Sequence, residues 1–145
     1  MSGRGILSGM DERDMRRLVR QARVGRLATV GADGRPHLVP ICFVLLGDTV
    51  YSAVDHKPKR ATWLRRLVNV EATGQASVLV DDYSEDWSTL RWIRLDGRGR
   101  VVSDAAEAAR AVAALVGKYA QYAGRPPTGP VLAVDVTRWS GWSAS

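Results

Sequence analysis

The sequence predicts a mainly β domain of the α+β class. Six antiparallel strands form a small closed or partly closed barrel, with helices at its periphery. Three observations predict this. Runs rich in β-branched residues are separated by Asp-Gly and Gly-Asp turns through the first third of the chain. No strand–helix–strand repeat of the kind that builds a parallel sheet runs along it. The 145 residues, 46% hydrophobic and 25% charged, suit one domain with one real core.

The elements follow in order. Residues 1–10 are Gly/Ser-rich and read as a loose N-terminus, leaving 11–145 as a single domain. Asp11 is an N-cap candidate. Met15, Leu18, Val19 and Ala22 repeat at helical spacing behind it, with arginines on the other face. A helix over 11–22 is expected. Gly25 to Val30 and Pro36 to Leu46 flank an Asp-Gly turn, and Gly47-Asp48 leads into Thr49 to Val54, which predicts a three-strand meander. Pro40 cannot donate to a ladder, so its strand is an edge or carries a bulge. After the basic segment 57–60, a helix is expected from about Ala61, with Leu64, Leu67 and Val68 on one side. A strand over 76–80 precedes the acidic, aromatic loop 81–87. A long strand over 90–102 follows, with Gly97 and Gly99 as a bend. Asp104 caps one continuous helix over 105–122. A Pro/Gly loop over 124–130 leads to a last strand over 131–137.

Charge and cysteine usage narrow the function classes. A net charge of +6 favours anionic partners: nucleic acid, an anionic surface, or a phosphorylated or carboxylated small molecule. No apolar run approaches the ~20 residues of a membrane span, and no signal-peptide apolar region stands at the N-terminus. A single cysteine, Cys42, excludes an internal disulfide and fits a reducing cytoplasm. With only His37 and His56 beside it, no zinc site is expected. The four carboxylates of loop 81–87 match no Ca²⁺-loop spacing.

The segment Asp55-His56-Lys57-Pro58-Lys59-Arg60 carries the chemistry. Three cations in four positions, between a strand and a helix, suit a phosphate: lysine supplies point charge and arginine a bidentate fork. The alternative is a solvated basic turn. A flat ring would need apolar or aromatic walls, for which Trp87, Trp92, Trp139 and Trp142 are candidates, with core or dimer packing as the other use of each.

These motifs occur in a familiar order: Gly-Arg-Leu-Ala-Thr-Val, Asp-Gly-Arg-Pro, His-Leu-Val-Pro-Ile, Lys-Pro-Lys-Arg, Val-Leu-Val-Asp-Asp-Tyr and Leu-Arg-Trp-Ile-Arg-Leu-Asp-Gly. From about Asp11 to Trp142 the chain resembles the pyridoxamine-phosphate-oxidase-like (PPOX class) split β-barrel flavin/deazaflavin oxidoreductases, in particular the F420-dependent enzyme group. The resemblance implies a six-stranded split barrel of the FMN-binding type. It also implies a cytoplasmic homodimer with cofactor sites at the subunit interface, and coenzyme F420 as cofactor, with FMN the alternative. Carried over residue by residue, the phosphate grip falls on Lys57, Lys59 and Arg60. The strands along the ring fall on Val39, Pro40 and Ile41, and on Ser52, Ala53 and Val54. Relatives often carry arginine at the first cationic position, where this chain has Lys57. The implied reaction is hydride transfer between reduced deazaflavin and an unsaturated organic acceptor, with a small-molecule acceptor as partner and neither nucleic acid nor membrane. No catalytic residue is fixed, although Tyr51, His37 and Arg94 are possible proton donors. The readings to set against it are an FMN oxidoreductase of the same fold, a non-catalytic cofactor-binding barrel, and a basic nucleic-acid-binding barrel.

Overall fold

A computed structural model of the chain describes residues 10–56, 59 and 63–144. Helix α1 (Glu12–Gln21) starts where expected, with the Asp11 carboxylate accepting the Asp14 N–H at 2.8 Å. Strands β1 (Gly25–Val30), β2 (Pro36–Ile41), β3 (Val44–Leu46) and β4 (Thr49–Ala53) follow. Next come α2 (Arg65–Ala72), β5 (Gln75–Asp82), β6 (Arg91–Val101), α3 (Ala105–Lys118), α4 (Ala120–Gly124) and β7 (Val131–Ser143).

Among the described residues, seven strands form one antiparallel sheet in the order β2-β1-β5-β6-β7-β4-β3. Its two ends are neighbours in sequence. Only Cys42 and Phe43 separate β2 from β3, and three chain steps span at most about 11 Å. The run 36–46 therefore joins one edge of the sheet to the other and closes it into a split barrel. The expected meander is present with its middle run divided: β1 pairs with β2, and β3 with β4. The second run breaks at Cys42–Phe43, which raises the strand count from six to seven. β4 pairs with β3 only through Thr49–Tyr51, and along its whole length with β7. Pro40 lies on edge strand β2, where its missing N–H costs no ladder bond.

The barrel interior is filled by Leu27, Ile41, Phe43, Val50, Val78, Ile93, Leu95 and Val134, with Met15 and Val19 of α1 and Leu67 and Val70 of α2 plugging it. A second cluster lies outside: Val44, Tyr51, Ala53, Val131 and Ala133 are covered by Ala111 and Leu115 of α3 and by Tyr119. The bend in β6 falls at a register shift between Asp96 and Gly97. A Cβ on Gly97 would stand 2.1 Å from the Asp135 carbonyl oxygen, so the crossing strands require glycine there.

Three boundaries differ from expectation. Residues 61 and 62 lie outside the described residues, and α2 begins only at Arg65, with Leu64 as its N-cap. The expected helix over 105–122 breaks at Tyr119, whose backbone is extended (φ −116°, ψ 117°) because its hydroxyl is drawn to the β2–β3 bend. The last strand continues past 137 to Ser143, since Trp139 and Gly141 pair with Leu95 and Ile93 as interior residues. Among the described residues, no helix is long and apolar enough to cross a membrane.

Candidate functional site

The two strand segments expected to line a cofactor ring flank the same bend. Val39 and Ile41 of β2 turn towards the interior, Val39 half-buried and Ile41 buried, while Pro40 faces out and is exposed. On the other side, Ser52, Ala53 and Val54 are buried. Val54 joins the interior cluster with Ile41, and Ala53 joins the outer one under α3. The pairing of β3 with β4 stops at Tyr51, so beyond it the β4 edge is not continued by β3. The chain thus presents two backbone edges, 39–41 and 52–54, on either side of one bend.

That bend is pinned from behind by residues the sequence did not single out. The Tyr119 hydroxyl accepts the Phe43 N–H at 3.0 Å and lies within donating distance of the carbonyls of Arg23 (3.0 Å) and Phe43 (3.1 Å). Lys118 donates to the Phe43 carbonyl at 2.9 Å, with its Nζ 4.1 Å from the centre of the Phe43 ring. Burial, and then the charge of Arg23, lowers the Lys118 pKa to about 8. Arg23 in turn donates to the Lys118 carbonyl at 2.8 Å and lies over the Tyr119 ring. Tyr119 reads in sequence as one more apolar position of a helix. Its polar partners sit 76 and 96 residues away, so periodicity carries no sign of them.

The exit from β4 is held by the Pro/Gly loop. The Val54 N–H donates to the Pro130 carbonyl and the Gly129 N–H to the Val54 carbonyl, both at 2.9 Å; the Thr128 N–H reaches the Asp55 carbonyl at 3.1 Å. These bonds fix the path of Val54 and Asp55 where the chain leaves β4 and bends. Of that segment, Lys57, Pro58 and Arg60 lie outside the described residues, and Lys59 is exposed. Arg66, in the first turn of α2, is half-buried, and burial lowers its pKa.

The tryptophans are dispersed. Trp87 is 76% exposed on the loop before β6. Trp92 is half-buried on the outer sheet face, where it pairs with Trp142 and Asp81 and has the Arg94 guanidinium 5.7 Å from its ring centre. With Leu79, Asp81, Tyr83 and Arg94 it lines an open cavity of about 350 Å³. Pro40 shares this outer face, in a row with Arg26, Leu79 and Arg94 across four strands. Trp139 is interior, beneath the Arg16 guanidinium at 4.7 Å. Tyr51 is occupied: its hydroxyl donates to Glu107 at 2.6 Å. In the acidic loop, Asp82 pairs with Arg91 at 2.7 Å, and Asp86 accepts from the Ser88 N–H and hydroxyl.

A split barrel closed by one bent strand, with two backbone edges at the bend, defines a class of small cofactor-binding folds. The family model described as pyridoxamine 5'-phosphate oxidase matches residues 12–143, and the chain belongs to that family. Solved structures share the fold. The conserved hypothetical protein Rv2991 from Mycobacterium tuberculosis is 20% identical with a TM-score of 0.74, over 93% of this chain and 86% of that one. An FAD-binding protein from Mesorhizobium loti is 18% identical with a TM-score of 0.67, over 91% and 94%. HutZ, the heme storage protein from Vibrio cholerae, is 16% identical with a TM-score of 0.69, over 91% and 93%. No curated relative matches the sequence significantly.

Proposed function

We propose that this chain is an F420-dependent oxidoreductase. In this reading it acts in the cytoplasm as a homodimer, with a cofactor site at the subunit interface, and reduces an unsaturated organic acceptor. The observation that carries the reading is the convergence at one bend of the edges 39–41 and 52–54, the second of which is followed in sequence by the cations Lys57, Lys59 and Arg60. Backbone N–H and C=O groups on two edges suit the polar rim of a tricyclic ring, and a cationic segment one step beyond suits its phosphate. The residues present therefore fit the cofactor. When bound, the deazaflavin supplies hydride transfer. The chain's part is to hold the ring against 39–41 and 52–54, to anchor the phosphate, and to exclude water through the second subunit. Trp92 on the outer sheet face and Trp87 on the loop before β6 become ring or acceptor walls only from the partner's side.

FMN needs the same edges and the same anion grip, and the FAD-binding neighbour keeps that alternative in view. The heme storage neighbour supports a second reading, a non-catalytic carrier. Turnover separates them. Reduced F420 mixed with the protein and a panel of quinones and conjugated enones is expected to be oxidised in proportion to enzyme. Oxidation of reduced FMN alone would transfer the reading to the flavin, and no turnover with either cofactor bound would make the chain a carrier.

A further inference from the structure

The loop between β1 and β2 meets the last turn of α2, and oxygen atoms of both converge there. Asn69 of α2 is only 1% exposed. Its Nδ2 donates to the Thr29 hydroxyl at 3.1 Å, while its Oδ1 is buried and accepts no hydrogen bond among the described residues. A buried acceptor without a donor is unfavourable and calls for a partner. Gly31, itself buried, lies opposite. A Cβ on Gly31 would stand 3.1 Å from that Oδ1, 2.9 Å from the Asp33 Oδ1 and 3.8 Å from the Arg35 carbonyl oxygen, its three nearest heavy atoms outside the adjoining residues. The place a side chain would fill is thus a small cradle walled by a carboxylate, an amide and a carbonyl oxygen. Local hydrogen bonds hold its walls. The Gly31 N–H donates to the Arg35 carbonyl and the Arg35 N–H to the Asp33 Oδ1, both at 3.0 Å. The Thr73 hydroxyl donates to the Val30 carbonyl at 2.8 Å and fixes α2 against the same end of β1.

We propose that this cradle binds a hard metal cation through Asp33 Oδ1, Asn69 Oδ1 and the Arg35 carbonyl, and that the ion ties the loop 31–35 to α2. Oxygen donors select hard cations, and among the described residues no three His, Cys, Asp or Glu side chains cluster to hold a softer metal. Three irregular ligands suit Ca²⁺ or a monovalent ion better than Mg²⁺, which demands a regular octahedron. Asp33 is exposed, so the cradle opens to solvent on that side, with an entry path and room for the water ligands that complete the shell. The competing arrangement turns the Asn69 amide over: Thr29 then donates to Oδ1, and Nδ2 faces Asp33 across the cradle. It predicts no response to cations. The proposal does not depend on the cofactor reading.

The test strips the full chain with EDTA and follows thermal unfolding in CaCl₂, MgCl₂, NaCl or KCl, each against choline chloride at matched ionic strength. For a dissociation constant of about 10⁻⁴ to 10⁻³ M, a tenfold excess of Ca²⁺ should raise Tm by about 3–6 °C, saturably. Asp33→Asn keeps the acceptor for the Arg35 N–H and loses the charge, so its affinity should fall about tenfold or more and its shift should disappear at that concentration. Asn69→Asp adds a charge at the orphan oxygen; it should melt early in EDTA and bind Ca²⁺ about tenfold more tightly than wild type. Gly31→Ala, whose Cβ fills the cradle, should lose the response whatever its melting temperature. Glu85→Gln, in the acidic loop 81–87, is the control and should respond as wild type does. A saturable, Asp33-dependent response to Na⁺ or K⁺ alone would keep the site and assign it to a monovalent ion. Shifts matched by choline chloride, a response undiminished in Asp33→Asn, or one lost in Glu85→Gln would overturn the proposal.

Discussion

Gly129→Ala is expected to destabilise the protein by about 2–3 kcal/mol and to weaken cofactor binding well beyond any effect of a distant substitution of equal cost. A Cβ at Gly129 would stand 2.2 Å from the His56 carbonyl oxygen and 2.5 Å from that of Val54. Both obstacles are backbone, so no side chain can swing aside. Either the loop lifts, breaking the bonds of Gly129 to Val54 and Thr128 to Asp55, or 54–56 shifts and carries the start of the cationic segment with it. Thermal unfolding measures the first effect and cofactor titration the second. A variant with wild-type melting and affinity would show that this loop does not set the path of 54–56.

The second large effect is at Arg100. Its guanidinium on β6 bridges two carboxylates: Nε and Nη2 reach Asp135 at 2.7 and 3.1 Å, and Nη1 and Nη2 reach Glu107 at 2.8 and 2.6 Å. Tyr51 and Thr49 of β4 donate to the same two carboxylates. One arginine thus ties β6, β7, β4 and the first turn of α3 together, and α3 in turn carries Lys118 and Tyr119 to the bend. Arg100→Met leaves two partly buried carboxylates facing each other, at a cost of about 2–3 kcal/mol, or roughly 6–12 °C in Tm. The pH dependence follows from the signs. Arg100 first, then Tyr51, lowers the Glu107 pKa from its ordinary 4.5 to about 2, and Arg100 also lowers that of Asp135. A depressed carboxylate contributes stability that is fully present above its unfolded value and is lost as pH falls through its folded one. Wild type should therefore lose this contribution between about pH 4.5 and 2. The gap to Arg100→Met should narrow over that window. A gap constant from pH 7 to 2, followed by denaturant unfolding, would remove the network from the account.

Much of the fold was legible because it is written in local signals. The Asp11 cap, the Asp-Gly and Gly-Asp turns, the Gly97 bend and Pro40 on an edge each depend on neighbours in sequence. The break at Cys42–Phe43 was not legible. The run 36–46 looks like one strand, and its division follows from closing a sheet whose edges meet there, a property of the whole barrel. Tyr119 hid in an apolar period, because its helix break answers polar groups brought near only by folding. Ser52–Val54 and Val39–Ile41 could be singled out by resemblance, and the fold brings them to one bend. Aromatic character alone singles out Trp87 and Trp92 in the sequence, and they face outward on the sheet and its loop.

The central claim is that the bend and the cationic segment form a deazaflavin site. Its most direct test is an equilibrium titration of wild type and of a Lys57→Ala/Lys59→Ala variant with F420 and with FMN, each followed by protein fluorescence. The account predicts saturable F420 binding to wild type at one cofactor per chain, weaker binding of FMN, and loss of F420 affinity in the double variant with melting unchanged. Tight FMN binding with no F420 binding, or F420 affinity unaltered by removing both lysines, would contradict it.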